Sequence, residues 1–295
     1  MSDYVVCIPS YQRAKLCNEK TLATLKHHKV PASKIYVYVA NQEEHDEYKG
    51  ILDPTLYHKL VIGKKGIVEQ RRYIKESWPA GKHIVSFDDD VAKIDMSLSG
   101  LFRGKTLDYF IQCAFKECNK QKAFIWGVYP VYNPFFRKGR PEISTCLTYI
   151  VGCIYGYINR PTVKALNTPL TAKFGGQKED VELSIKYFIH DGIVLRFNRI
   201  GFETKYYGTS GGLGRFNDRL KPMLEASKVL KREFPEYGEI GTRKSGMTEF
   251  RLKRIPCRVC GGDVGGDATT VDKVSTKKTA KKQTKQNKTQ KKRGK

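Results

Sequence analysis

The sequence predicts an α/β fold, a mostly parallel sheet with helices on both faces, and three observations carry that prediction. Strand-like and helix-like segments alternate from Tyr4 to Phe87. The run His83-Ile84-Val85-Ser86-Phe87 has the apolar and β-branched content of a buried strand. Polar residues collect where strands end, in Pro9-Ser10-Tyr11 and Asp88-Asp89-Asp90. In open α/β sheets ligands sit outside those carboxyl ends, so both segments mark one candidate site.

The elements follow in order. Tyr4 to Pro9 reads as a strand, Asn18 to His28 as an amphipathic helix, Lys34 to Ala40 as a strand, Gln42 to Gly50 as a helix and Leu60 to Ile62 as a short strand. Ile67 to Trp78 has helical spacing and leads through Pro79-Ala80-Gly81 into the strand that closes on the Asp triplet. The second half offers strands at Ala123 to Tyr129 and Cys146 to Ile158, a helix from Asp180 to His190, and a strand pair around Ile193 to Phe197 and Gly201 to Tyr206.

The 295 residues, 40% hydrophobic and 11% aromatic, suffice for one large core or one domain with a small appendage. A formal charge of +24 and a pI of about 9.6 imply a polyanionic partner, nucleic acid first, because such a field speeds encounters with phosphate-rich surfaces. Lys273 to Lys295 hold eleven basic residues and Asp272 is the one acid beside them, so ten of the 24 charges lie in the tail and the body stays basic. The organisation expected is a domain over residues 1–250, a cysteine-containing linker over 251–268 and a disordered Lys-rich tail over 269–295. The longest apolar stretch, Thr148 to Ile158, is far short of the ~20 residues of a membrane helix, so no membrane partner is expected. The 8 cysteines sit mostly in apolar or helical context, as reduced core thiols do, which suits a cytosolic or nuclear setting. Cys257 and Cys260 have the spacing of half a zinc ribbon, and no second pair follows them.

The Asp triplet calls for a cation. Asp is rarely buried unpaired, and hard oxygen ligands at a strand end suit Mg²⁺ or Mn²⁺, which suit a diphosphate and hence a nucleotide. The plainer alternative is an acidic turn. Glu179-Asp180 is a second carboxylate pair, at a helix start where acids also serve as caps. Gly208 to Arg215 is glycine-rich, and backbone amides at Gly211 and Gly212 can approach phosphate oxygens closely. Arg71 and Arg72 are neighbours on a helix and point ~100° apart, so at most one reaches a diphosphate. Trp126, Tyr129, Tyr132, Phe135, Phe136, Arg137, Lys138 and Arg140 interleave aromatics with cations, a composition that stacks bases and holds phosphates; a Trp and Tyr run in a strand equally suits a core.

Ile8-Pro9-Ser10-Tyr11-Gln12-Arg13, the helix with Arg71-Arg72, the strand Ile84 to Asp90 and Lys178-Glu179-Asp180-Val181-Glu182-Leu183 together resemble a GT-A (Rossmann-like) nucleotide-sugar glycosyltransferase over about residues 3–215. In order and spacing the chain is similar to the viral and phage relatives of the base J DNA glucosyltransferases, the TET/JBP-associated group, which glycosylate hydroxymethylated pyrimidines in DNA. The resemblance implies that Asp88 faces the donor ribose or base, with Asp89 in the same segment, and that Asp90 together with Asp88 binds the metal between the phosphates. It places Pro9, Tyr11 and Arg13 beneath the uracil and ribose, Arg71 or Arg72 near the diphosphate, and Gly211 and Gly212 in a segment that closes over the donor. In inverting members an acid at the Glu179-Asp180 position is the general base, Asp180 first and Glu179 second; in a retaining enzyme the pair only positions the acceptor. Many members add a metal-binding histidine in the glycine-rich segment, whereas this chain has no histidine after His190.

The expected function is Mn²⁺- or Mg²⁺-dependent transfer of a sugar from a nucleotide sugar, a UDP-sugar first, to 5-hydroxymethylpyrimidine bases in DNA, by a viral protein in the host cytoplasm or nucleus. The same-fold alternative acts on a viral protein or glycan. A two-metal nucleotidyl-transfer enzyme needs further acids on an adjacent strand, and the second strand ends in Ala40-Asn41 with none. A non-enzymatic DNA-binding module accounts for the charge but leaves both carboxylate clusters without purpose.

Overall fold

Alternation along the first strand sets the layers. In β1 (Tyr4–Pro9), Tyr4, Val6 and Ile8 join one apolar cluster and Val5 and Cys7 join another, because successive strand side chains point to opposite faces. A computed structural model describes residues 3–204 and 215–259. The first half contains α1 (Ala14–Cys17), which runs through a π turn into α2 (Ala23–His27), then β2 (Ile35–Val39), α3 (Gln42–Ile51), β3 (Lys59–Ile62), α4 (Ile67–Glu76) and β4 (His83–Phe87). β1 pairs in parallel with β2 and β4, and β2 with β3, which brings the carboxyl ends of β1 and β4 side by side.

The second half holds β5 (Val91–Asp95), α5 (Leu107–Gln121), β6 (Ile125–Tyr129), β7 (Ile143–Ser144), β8 (Ile154–Ile158), α6 (Lys164–Asn167), α7 (Glu179–Asp191) and β9 (Leu195–Thr204). It ends in α8 (Phe216–Glu233) and the hairpin of β10 (Gly238–Thr242) and β11 (Thr248–Leu252). β8 runs antiparallel to β4 and β6, and β9 runs parallel to β6 but antiparallel to β5 and β7. The main sheet has nine strands, in the order β3-β2-β1-β4-β8-β6-β9-β5 with β7 on β9. Leu25 of α2, Tyr48 of α3 and Phe110 of α5 cover one face, while Ile74 of α4 and Leu183 and Phe188 of α7 cover the other. The expected α/β layering with helices on both faces is the one observed.

Three local expectations change. Of the run Cys146 to Ile158 only Ile154–Ile158 is strand; before it Leu147 N donates to Ile255 O (2.9 Å) and Ile150 N to Ser184 Oγ (2.9 Å), so partners outside the sheet satisfy the backbone. The pair expected around Ile193 to Phe197 and Gly201 to Tyr206 is one strand, β9, whose register against β6 shifts between Val128 and Tyr129. β11 crosses residue 250, and Cys257 lies in the main core, so the folded body continues past the expected boundary. Cys260 and the tail lie outside the described residues.

Three residues expected to face nucleic acid are interior, Tyr129 at 8% exposure among them. Trp126 is fully buried, edge-on to Phe110 and Phe115 at 5.3 and 5.7 Å, and a Cβ at Gly156 would meet its ring at 2.3 Å. Arg137 is also fully buried; it pairs with the Asp95 carboxylate and donates to the carbonyls of Tyr132 (2.7 Å) and Arg199 (2.8 Å). Removing one member of such a buried pair strands the other. Arg137→Met should therefore lower stability by about 3–5 kcal/mol, measured by equilibrium urea unfolding; a loss below about 1 kcal/mol would make it a surface arginine after all.

Candidate active site

The Asp triplet follows β4 and is fixed first through its backbone. Asp88 N donates to Cys153 O (2.9 Å), Thr21 Oγ1 donates to Asp88 O (2.7 Å), and Val91 N donates to Thr21 Oγ1 (3.0 Å). Asp89 turns inward, 5% exposed, and accepts from Ser10 Oγ (2.6 Å) and Arg13 Nη1 (3.2 Å). Tyr48 closes this net: its hydroxyl lies 2.7 Å from Ser10 Oγ and accepts from Arg13 N at 2.9 Å. Asp88 and Asp90 are more open, their side chains 29% and 14% exposed. Asp90 accepts from Thr204 Oγ1 and, at 3.4 Å, from Arg13 Nη1.

Arg71 carries the triplet across to α7. Its Nη2 donates to Asp88 Oδ1 (3.1 Å) and Gly152 O (2.9 Å), and its Nη1 to Glu179 Oε2 (3.3 Å). Burial pushes Asp88 up to about 6 and Asp89 up to about 7, against the pull of Arg71 on the first and Arg13 on the second. Burial likewise raises Glu179, with Arg71 opposing. Asp180 accepts from Val181 N at Oδ1 (2.9 Å) and from Gly152 N (3.3 Å) and the Tyr149 hydroxyl at Oδ2. A Cβ at Gly152 would come to 3.3 Å from both Arg71 terminal nitrogens and 3.4 Å from Asp180 Cβ, so a side chain there would crowd both.

The expected residues thus divide. Asp88, Asp90, Arg71, Glu179 and Asp180 converge, and Arg13 joins them through Asp89 and Asp90. Arg72 does not: it is 47% exposed and pairs with Glu69 and Glu76 of its own helix. Pro9 is buried where β1 ends, and Tyr11 is half-buried with Lys65 Nζ 5.6 Å from its ring centroid. Gly211 and Gly212 lie outside the described residues. Thr21, Tyr48, Tyr149, Cys153 and Thr204 are additions that the sequence analysis passed over; Tyr149 and Cys153 sit in an apolar run that hides them.

Asp88 and Asp90 offer carboxylate oxygens, which fit a hard divalent cation; Asp88 Oδ1 is shared with Arg71, and the Asp90 oxygens with Thr204 and Arg13. Among the described residues no three His, Cys, Asp or Glu side chains cluster to hold a metal. Two carboxylates suit the way Mg²⁺ is commonly held, by one or two acids with substrate phosphates and water completing the shell. Also among the described residues, no helix is long and apolar enough to cross a membrane.

The chain matches no family model and no curated protein sequence. In structure it is similar to S. aureus TarS 1-349, with a TM-score of 0.48 and 11% identity over 80% of this chain and 66% of that one. It is similar to glucosyl-3-phosphoglycerate synthase from Mycobacterium tuberculosis in complex with Mn²⁺, UDP and glucosyl-3-phosphoglycerate (TM-score 0.48, 13% identity, 87% and 90% covered). A third is the mannosyltransferase PcManGT from Pyrobaculum calidifontis in complex with GDP-Man and Mn²⁺ (TM-score 0.47, 14% identity, 78% and 64% covered). The chain spans just under two thirds of the TarS 1-349 structure and 40% of the longer TarS structure.

Asp88 and Asp89 hold their protons more tightly in the folded protein than in the unfolded chain. Their contribution to stability is therefore full below the ordinary value of 3.8 and is lost as pH rises through about 6 and about 7. His28 and His83, lowered by burial, act in the opposite sense. The difference between wild type and Asp89→Asn isolates the carboxyl. In thermal scans of the metal-free protein, Asp89→Asn should gain stability relative to wild type as pH rises from about 5 to about 8; a constant difference would contradict the buried, proton-retaining carboxyl.

Proposed function

We propose that the chain is a metal-dependent GT-A glycosyltransferase that moves a sugar from a UDP-sugar to 5-hydroxymethylpyrimidine bases in DNA. The observation that carries the reading is Asp180. It sits at the helix start that Arg71 ties to Asp88, and donors from Val181, Gly152 and Tyr149 aim its carboxylate. Glu179, by contrast, is occupied by Arg71. The basic body and tail support DNA as the acceptor through phosphate contacts.

In this reading Tyr11 offers its ring to the donor base, and Arg13 keeps Asp89 and Asp90 in place beneath the ribose. Asp88 and Asp90 would hold a divalent cation, which when bound would neutralise charge gathering on the nucleoside diphosphate. Arg71 places a second positive charge on the same side of the site. Asp180 accepts the proton of the acceptor hydroxyl while its oxygen bonds to the anomeric carbon. The bond from that carbon to the diphosphate breaks, and UDP leaves with the electron pair.

Transfer onto DNA containing 5-hydroxymethylcytosine or 5-hydroxymethyluracil, from a panel of nucleotide sugars with Mn²⁺ or EDTA, tests this as a nucleoside mass shift. The expected result is a metal-dependent hexose or pentose gain. Asp180→Asn should lower kcat by about 10²–10⁴-fold with the donor KM nearly unchanged, whereas Asp90→Ala should weaken donor binding itself. Donor hydrolysis without a DNA product would move the acceptor to a protein or glycan, and no donor turnover would sink the enzymatic reading.

A further inference from the structure

Phe135 is 72% exposed, the most of any large hydrophobic side chain among the described residues. Its backbone is nonetheless held hard. It stands on the 3-10 turn Pro134–Phe136, where Asn133 Oδ1 accepts from Phe135 N at 3.0 Å, and the turn runs straight into the buried Arg137 that anchors it to β5 through Asp95. The turn presents the ring to water, edge-on to Phe136 at 5.4 Å. Tyr129, just before the loop, stands in register with Gly201, and Gly201 with Asp95. β6 and β4 are both antiparallel to β8, so the loop leaves the same end of the sheet as Asp88.

The acids at the base of this loop are taken up. Asp95 is taken by Arg137, and Glu142 by Arg199 (3.3 Å), Ser99 Oγ (2.8 Å) and Gly100 N. Glu142 thereby ties the 97–105 loop, with Leu101 54% exposed, to the 133–142 loop. Arg103, Lys105 and Lys138 are exposed, with no acidic partner among the described residues. Phe135, edge-on to Phe136 on a loop whose exposed Lys138 has no acidic partner among the described residues, matches a base and its phosphate.

We propose that Phe135 is a stacking wedge for DNA: its ring takes the face of a base parted from its neighbour, while Lys138 of the same loop holds a flanking phosphate. Enzymes that act on a base within DNA must part it from the stack, and a preset apolar wedge lowers that cost. The inference rests on the DNA-acceptor reading above.

Fluorescence anisotropy with labelled single-stranded and duplex DNA bearing hydroxymethylpyrimidine, over a series of salt concentrations, tests it in the full chain. Phe135→Ala should weaken binding about 5- to 100-fold with the salt slope unchanged, and Phe135→Trp should retain affinity. Lys138→Ala should instead reduce the salt slope by about one. UDP release without acceptor should be the same in wild type and Phe135→Ala. If Phe135→Ala binds and glycosylates DNA like wild type, the wedge is overturned and the acceptor reading stands. If wild type turns over donor but neither binds nor modifies DNA, both fall, and a protein or glycan acceptor takes their place.

Discussion

The guanidinium of Arg71, with that of Arg13 on Asp90, is what allows Asp88, Asp90, Glu179 and Asp180 to share one end of the sheet. Four carboxylates gathered in a partly dry site repel one another, and a buried cation without counter-charges costs several kcal/mol; each makes the other tolerable. Arg71 reaches Asp88, Glu179 and the Gly152 carbonyl at once, so it joins α4, the end of β4, the loop before β8 and the start of α7. The opposing pulls on Asp88 and Glu179, burial upward and Arg71 downward, are the electrostatic trace of that arrangement.

The two halves of the fold contribute differently. The parallel half supplies a rigid floor, in which Ser10, Arg13 and Tyr48 lock Asp89 and leave its neighbours turned outward. The half that mixes antiparallel strands supplies what meets that floor: Tyr149 and Gly152 from a loop, Asp180 from a helix start, and Thr204 from the far end of β9. β8 is the joint, antiparallel to a strand of each half.

Much of this was legible. β1 and β4 are readable to the residue because their apolar runs end in Pro9 and in three acids, signals that need no distant partner. β9 reads as two strands from sequence; its continuity depends on Asn198 reaching Pro141 O and Ser144 Oγ and on Arg199 reaching Glu142, contacts that no local pattern encodes. α5 does carry a local signal, a Thr106 cap before a helically spaced apolar stripe, yet the expected order of elements passed it by. In the site, acids at element ends stand out against apolar sequence, whereas Thr21, Tyr48 and Tyr149 do not. A hydroxyl has many uses in a strand or helix, and only tertiary contact selects one. Trp126 and Arg137 show the converse, since aromatic and cationic composition cannot distinguish a surface from an interior that pairs its charges.

The hydrogen bond from Leu147 N to Ile255 O also bears on the order in which the candidate site is assembled. Tyr149 and Gly152, which aim Asp180, belong to a loop that is closed by a segment lying far downstream of it. On the ribosome the parallel sheet can assemble as soon as Phe87 has emerged, but this loop must wait for Ile255 and Cys257. A chain cut short near residue 250 would keep most of its core and lose its alignment. The surroundings of Asp180 are thereby completed by sequence that follows the sheet beneath them by well over a hundred residues.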